Sequence, residues 1–285
     1  MVTGNDGPKC ASNAGYMTPR ALFRKLAQQL GSSTTKALIA AIYGDFARFV
    51  AQERVTSEQA YAIHQSALRL LRGEPVQYVV GRCEFMSLSF QVNPDVLIPR
   101  SDTETLVEIV LERSSPEDVY FDLGTGSGAI AVALSYYGKM RGYAVDISNA
   151  ALDIARKNAQ LNGVSEKIRF IQCDSLTPLW NPSIYREVSI IVSNPPYIPT
   201  HMLKSLPPEV QREPRIALDG GPDGLAHYRR IFQEFRELIR GKRIYMELAP
   251  YEAKSLEKII RNAGVRDYTF FEDLDSIVRY VEVQA

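Results

Sequence analysis

Four consecutive residues, Asn194-Pro195-Pro196-Tyr197, follow the β-branched run Val188-Ser189-Ile190-Ile191-Val192-Ser193 and are well suited to seizing a planar NH2 group. The asparagine side chain offers a carbonyl acceptor, and a peptide carbonyl ahead of a proline sits on a stiff backbone. Two such acceptors side by side can take both hydrogens of an amide or amino group. Tyr197 adds an aromatic face against which its plane can pack. The prolines also end the strand, because neither can donate to a ladder. The turn therefore falls at a strand's carboxyl end, where open α/β sheets bind ligands. The same residues also read as a simple turn followed by a core aromatic.

A second group lies upstream. Phe121-Asp122-Leu123-Gly124-Thr125-Gly126-Ser127-Gly128 joins a strand to a helix, and its alternate glycines let a ligand approach the backbone. Gly124-x-Gly126-x-x-Ala129 also fits a dinucleotide fingerprint. Asp122 argues against that: a carboxylate there repels a pyrophosphate but attracts the ammonium of an amino-acid moiety. S-Adenosylmethionine, whose methionine end is cationic, is thereby favoured over NAD. Asp146 ends the next strand, placed to accept ribose hydroxyls, with Ile147 beside it as a further candidate contact. Asp174-Ser175 follows the third strand, placed for the adenine amino group or ring edge. Any single aspartate also reads as a cap or turn residue. Three at successive strand ends read as one pocket.

The elements that must position these residues alternate along the chain. Strands are expected over residues 119–123, 142–145, 167–172, 188–192, 243–248 and 277–283, and helices over 129–137, 150–161, 226–239 and 252–262. This pattern predicts an α/β fold with a mostly parallel sheet and helices on both faces. Ahead of it, residues 21–30, 34–50 and 57–71 show helical periodicity, with Thr18-Pro19 as an N-cap and first helical position. They predict a small N-terminal bundle over 17–74, a candidate for substrate recognition. Residues 75–96 alternate like strands around Gly81 and read as a β-hairpin linker. Residues 97–285 form the main domain, opening with Leu97-Ile98-Pro99-Arg100-Ser101-Asp102-Thr103-Glu104, a turn into a helix capped by Ser101 or Asp102. Residues 200–224, punctuated by Pro207-Pro208 and Gly220-Gly221, read as a lid over the pocket.

Composition narrows the class. In 285 residues, 33 Lys and Arg balance 33 Asp and Glu, so nothing in the net charge asks for nucleic acid. Cys10, Cys83 and Cys173 are few and without metal-type spacing, which suits a reduced cytoplasmic setting, and no metal is expected. No run approaches the length of a membrane span. Residues 1–16 lack an apolar segment and read as a disordered tail.

At this point the sequence resembles the HemK/PrmC family of glutamine methyltransferases acting on peptide-chain release factors. The likeness rests on the stretches 122–131, 144–146 and 193–198, and more specifically on 75–90, 97–108 and Glu213-Pro214-Arg215-Ile216-Ala217-Leu218-Asp219-Gly220-Gly221-Pro222-Asp223-Gly224-Leu225. The resemblance implies a helical N-terminal domain, a hairpin and a seven-stranded Rossmann-like class I methyltransferase domain. It implies S-adenosylmethionine as cofactor, held by Gly124 to Gly128, Asp146, Ser175 and Asn194. It places the substrate glutamine, that of the GGQ motif of class-1 release factors, against Asn194, Pro195, Pro196 and Tyr197. Arg100, Thr103 and Glu104 join these as candidate substrate contacts. A cytoplasmic monomer, with no direct nucleic-acid or membrane binding, is the expected state. The chain departs from the family at Ser101-Asp102, Glu247-Leu248-Ala249-Pro250 and Val278-Arg279. Competing readings are methylation of a ribosomal-protein glutamine, methylation of an amino group on a nucleic-acid base, an NAD-dependent oxidoreductase and a non-catalytic binding module.

Overall fold

The computed structural model describes residues 17–273 and 275–285, so the tail expected over 1–16 lies outside the described residues. The chain packs as two compact units, one ending at Val80 and one from Gly81 to Ala285. Among the described residues, no helix is long and apolar enough to cross a membrane.

The first unit is helical, with α1 Pro19–Leu30, α2 Ser32–Tyr43, α3 Phe46–Val50, α4 Ser57–Leu71 and α5 Val76–Val80. Thr18 caps α1 by accepting the Ala21 N–H, and Thr56 with Gln59 closes a capping box on α4. Leu22, Leu26, Leu38, Ile39, Phe49 and Ile63 form its core. Two details differ from the sequence reading. The helix expected over 34–50 breaks because Gly44 turns to φ 81°, after which Asp45 caps a new helix by accepting the Arg48 N–H. Residues 76–80, read as strand, are helical. The Val79 N–H bonds back to the Pro75 carbonyl and Tyr78 is buried, so local packing overrides the β preference of the valines.

The second unit opens with a hairpin, β1 Arg82–Phe85 and β2 Leu88–Gln91. Met86 and Ser87 both have positive φ, as a two-residue type I′ turn requires. Phe85, Leu88 and Phe90 are buried in this unit's core, so the hairpin is a packed element rather than a free connection. Buried Asn158 holds it further: its amide exchanges hydrogen bonds with the Gln91 backbone at 2.7 and 3.0 Å and donates to the Ser127 carbonyl at 2.8 Å.

Helices and strands then alternate: α6 Ser101–Glu112, β3 Val119–Leu123, α7 Ala129–Tyr137, β4 Arg141–Asp146, α8 Asn149–Leu161, β5 Ile168–Gln172, α9 Pro182–Glu187 and β6 Ile190–Ser193. After a long connection come α10 Ala226–Arg229, α11 Arg236–Ile239, β7 Arg243–Glu247, α12 Ala253–Asn262, β8 Asp267–Glu272 and β9 Val278–Gln284. The sheet order is β5-β4-β3-β6-β7-β9-β8, with the first five strands parallel and β9 antiparallel to both neighbours. From β3 the chain fills one side with β4 and β5 and then crosses to β6 on the other. This reversal opens a crevice at the carboxyl ends of β3 and β6.

Several boundaries differ from expectation. Edge strand β8 is absent from the sequence reading: its residues alternate between exposed and half-buried, without the continuous buried run that marks β3 and β6. The helix expected over 226–239 is interrupted by a π-helical stretch at Arg230–Glu234. Helix α6 starts behind Arg100 without a side-chain cap. Residues 200–224, read as a lid, run as short 3₁₀ turns and return to the β6 exit. There the Ile198 N–H bonds the Leu218 carbonyl at 3.0 Å and the Gly220 N–H bonds the Ile198 carbonyl at 2.8 Å.

Candidate active site

The loops after β3, β4, β5 and β6 converge on a cavity of about 300 Å³. In the loop after β3, Gly124, Gly126 and Gly128 take φ values of 75°, 55° and 83°. A Cβ built on Gly124 or Gly126 would meet no atom within 4 Å, whereas one on Gly128 would lie 3.1 Å from the Ala155 Cβ. The first two glycines thus present bare backbone to open space, and the third lets α7 pack against α8. Asp146, at the end of β4, accepts the Gly126 and Ser148 N–H groups, each at 2.9 Å, and burial raises its pKa.

Asp122 is fully buried. Its Oδ2 accepts the Thr125 hydroxyl at 2.6 Å and the Ala131 N–H at 3.2 Å, while its buried Oδ1 has no partner among the described residues. Burial, with a smaller push from Asp146, raises its pKa to about 7.

The loop after β6 is anchored first by Ser193, whose hydroxyl donates to the Leu123 carbonyl at 2.7 Å. Next, the Asn194 Nδ2 donates to the Thr103 Oγ1 at 2.9 Å, and the Thr103 hydroxyl donates to the Glu247 Oε2 at 2.7 Å. The Tyr197 hydroxyl donates to the other oxygen of Glu247 at 3.1 Å. Glu247 ends β7 and is 1% exposed; burial pushes its carboxyl up to about 7. Burial and this same carboxylate push the Tyr197 hydroxyl up. Asn194, Pro195 and Pro196 line the cavity.

Further wall comes from Asp95 to Leu97, ahead of α6, from Pro214, Ile216 and Ala217, and from His227, Arg230, Ile231 and Phe235. Buried Glu213 holds the first two segments together: its Oε2 accepts the Ile98 N–H at 3.1 Å and its Oε1 pairs with the Arg100 guanidinium. After β5, Asp174 and Ser175 line the cavity, with Arg230 lying 3.5 Å from the Asp174 carboxylate.

Comparison with known proteins gives this geometry a family. The model described as ribosomal protein L11 methyltransferase (PrmA) matches residues 102–217. The release factor glutamine methyltransferase of Moorella thermoacetica is 43% identical over 217 residues, covering 75% of this chain and 75% of the relative. That of Caulobacter vibrioides is 37% identical over 233 residues, covering 80% and 79%. The chain belongs to the release factor glutamine methyltransferase family. Among solved structures, the N-terminal domain of human METTL16 in complex with SAH aligns with a TM-score of 0.53 at 17% identity, covering 88% of this chain and 93% of that one. At that identity the likeness is one of fold.

In this methyltransferase, the candidate site residues Gly124, Gly126, Asp146, Ile147, Asp174, Ser175, Asn194, Pro195 and Pro196 line the cavity. Asp122, Thr125, Ser127, Gly128 and Tyr197 do not line it. Asp122 is turned to Thr125 and the first turn of α7, and Tyr197 to Glu247. The three candidate substrate contacts ahead of and within α6 have partners within the protein. Arg100 pairs with Glu213, Thr103 bridges Asn194 and Glu247, and Glu104 accepts the Met86 N–H of the hairpin turn at 2.6 Å. Sequence reasoning missed Glu247 as part of the site. The available signal was an acid closing the apolar strand Ile244-Tyr245-Met246, a position that buries charge.

Proposed function

We propose that this methyltransferase transfers the methyl group of S-adenosylmethionine to the side-chain amide nitrogen of the GGQ glutamine in class-1 peptide-chain release factors. The observation that carries this reading is at the β6 exit. The Asn194 side-chain oxygen and the Pro195 carbonyl take no hydrogen bond from the described residues, in a loop that lines the cavity facing the glycine turn. Two unspent acceptors on a proline-stiffened backbone suit the two hydrogens of a carboxamide.

The residues present fit the cofactor. Gly124 and Gly126 leave room at the backbone, and the Asp146 carboxylate lines the cavity after β4, where it would accept ribose hydroxyls. When bound, S-adenosylmethionine supplies a methyl already activated on sulfonium, whose carbon–sulfur electron pair stays on the departing sulfur as carbon joins the amide nitrogen. An amide nitrogen is a weak nucleophile, because its lone pair is shared with the carbonyl. Asn194 and Pro195 act by holding that nitrogen in one orientation while one of its protons is lost to solvent. Orientation of this kind is worth about 7–11 kcal/mol in the best cases. The named activity of the relatives and the SAH bound to the structural neighbour support the same reading. We further read the protein as a cytoplasmic monomer, with the helical first unit contributing to recognition of the release factor.

The test is transfer of labelled methyl from S-adenosylmethionine to purified release factor, ribosomal protein and DNA in parallel. Incorporation into release factor, abolished when its GGQ glutamine is replaced, is expected. Incorporation only into one of the other two would overturn the assignment.

A further inference from the structure

The Asn194 side chain can face the substrate with either end of its amide, and only the oxygen can accept a substrate N–H. The residues around it decide which end it presents. The Thr103 hydroxyl spends its single hydrogen on the Glu247 Oε2 at 2.7 Å. The Thr103 oxygen is then left as an acceptor, and the Asn194 Nδ2 fills it at 2.9 Å. One of its two N–H donors is thereby engaged, which turns the nitrogen toward Thr103 and leaves the oxygen as the free acceptor.

We propose that Thr103 and Glu247 are positioning residues for the methyl transfer: they fix the Asn194 amide with its oxygen toward the substrate, and Glu247 holds Tyr197 through its other oxygen. This rests on the amide-methylating function above and adds to it the residues that give the acceptor its polarity. Neither side chain lines the cavity, so each acts through Asn194 or Tyr197. The three partners come from different parts of the fold, namely helix α6, the loop after β6 and the end of β7. The relay therefore also registers these elements at the crevice.

Thr103→Val keeps the shape and removes the hydroxyl. It is expected to lower kcat about 100-fold, the scale of a misaligned reacting group, while SAH affinity stays within about 2-fold of wild type, because no cavity contact changes. Thr103→Ser restores the hydroxyl and is expected to recover most of the lost turnover. Loss of SAH affinity equal to the loss of kcat, or full turnover by Thr103→Val, would overturn the proposal. Should Thr103→Val fail to fold, Glu247→Gln decides: it places an amide, with N–H donors of its own, beside the Thr103 and Tyr197 hydroxyls, and unchanged kcat in that variant defeats the idea. Side-chain amide NMR of labelled Asn194 separates this proposal from the functional reading. The Nδ2 resonance is expected to move in Thr103→Val whether or not release factor is methylated, and a stationary resonance overturns the relay even if the enzyme is active.

Discussion

At the scale of single residues, the site contrasts one unspent acceptor, on half-buried Asn194, with two buried carboxyls. Asn194→Ala removes the acceptor without touching the glycine turn. Methyl transfer is expected to fall below detection while SAH still binds, and an active variant would remove Asn194 from the chemistry. Asp122 makes a prediction about stability. Its folded pKa is raised from 3.8 to about 7 by burial, so the folded state binds the proton more tightly than the unfolded chain does. The stability this contributes is complete below about pH 4 and is lost as pH rises through 7. Asp122→Asn cannot ionise, and its amide oxygen can still accept from Thr125 and Ala131. Relative to wild type, its Tm is therefore expected to climb steadily from about pH 4 to pH 8, and a pH-independent difference in paired melts would disprove the buried titration. Residue types carried part of this. Asn194, Gly126 and Asp146 were legible because their spacing around strand ends is itself a signal. Glu247 was legible only as an acid closing an apolar strand; its partner Thr103 lies 144 residues away in the chain, and that contact no local pattern encodes.

At the scale of elements, the central strands and their helices were legible because continuous apolar runs and 3.6-residue periods are local properties. What escaped was decided by tertiary contacts. The valines of α5 became helical through Pro75 and the bundle core, and the half-exposed β8 acquired its identity only from pairing with β9. The hairpin shows how firmly a short element can be set. Asn158 supplies three hydrogen bonds that join β2 to α8 and to the Ser127 carbonyl of the glycine turn. Asn158→Ala would leave the buried Ser127 carbonyl and the part-buried Gln91 backbone groups unpaired, at a cost of about 3 kcal/mol, measured by urea unfolding. Weaker SAH binding is expected alongside, because the Ser127 carbonyl would lose its restraint. A loss under about 1 kcal/mol would mean that water replaces the amide.

At the scale of the whole molecule, every residue lining the cavity lies beyond Val80, and the second unit has buried clusters of its own on both faces of its sheet. A protein beginning at Gly81 is therefore expected to melt cooperatively. SAH at about 100 times its Kd adds about 2.7 kcal/mol, or roughly 5–10 °C in Tm for a domain of this size. No rise would mean that the helical unit is needed to form the cofactor cavity. The sheet order carries one more consequence. Strand β9 follows β8 in the chain yet lies inside it, between β8 and β7. During synthesis on a ribosome, the β7 edge that bears Glu247 stays unpaired until residues 278–284 emerge, and β8 has no seat before then. A nascent chain halted just short of Val278 would thus hold its parallel strands with a sticky open border, prone to capture by chaperones or by its own copies.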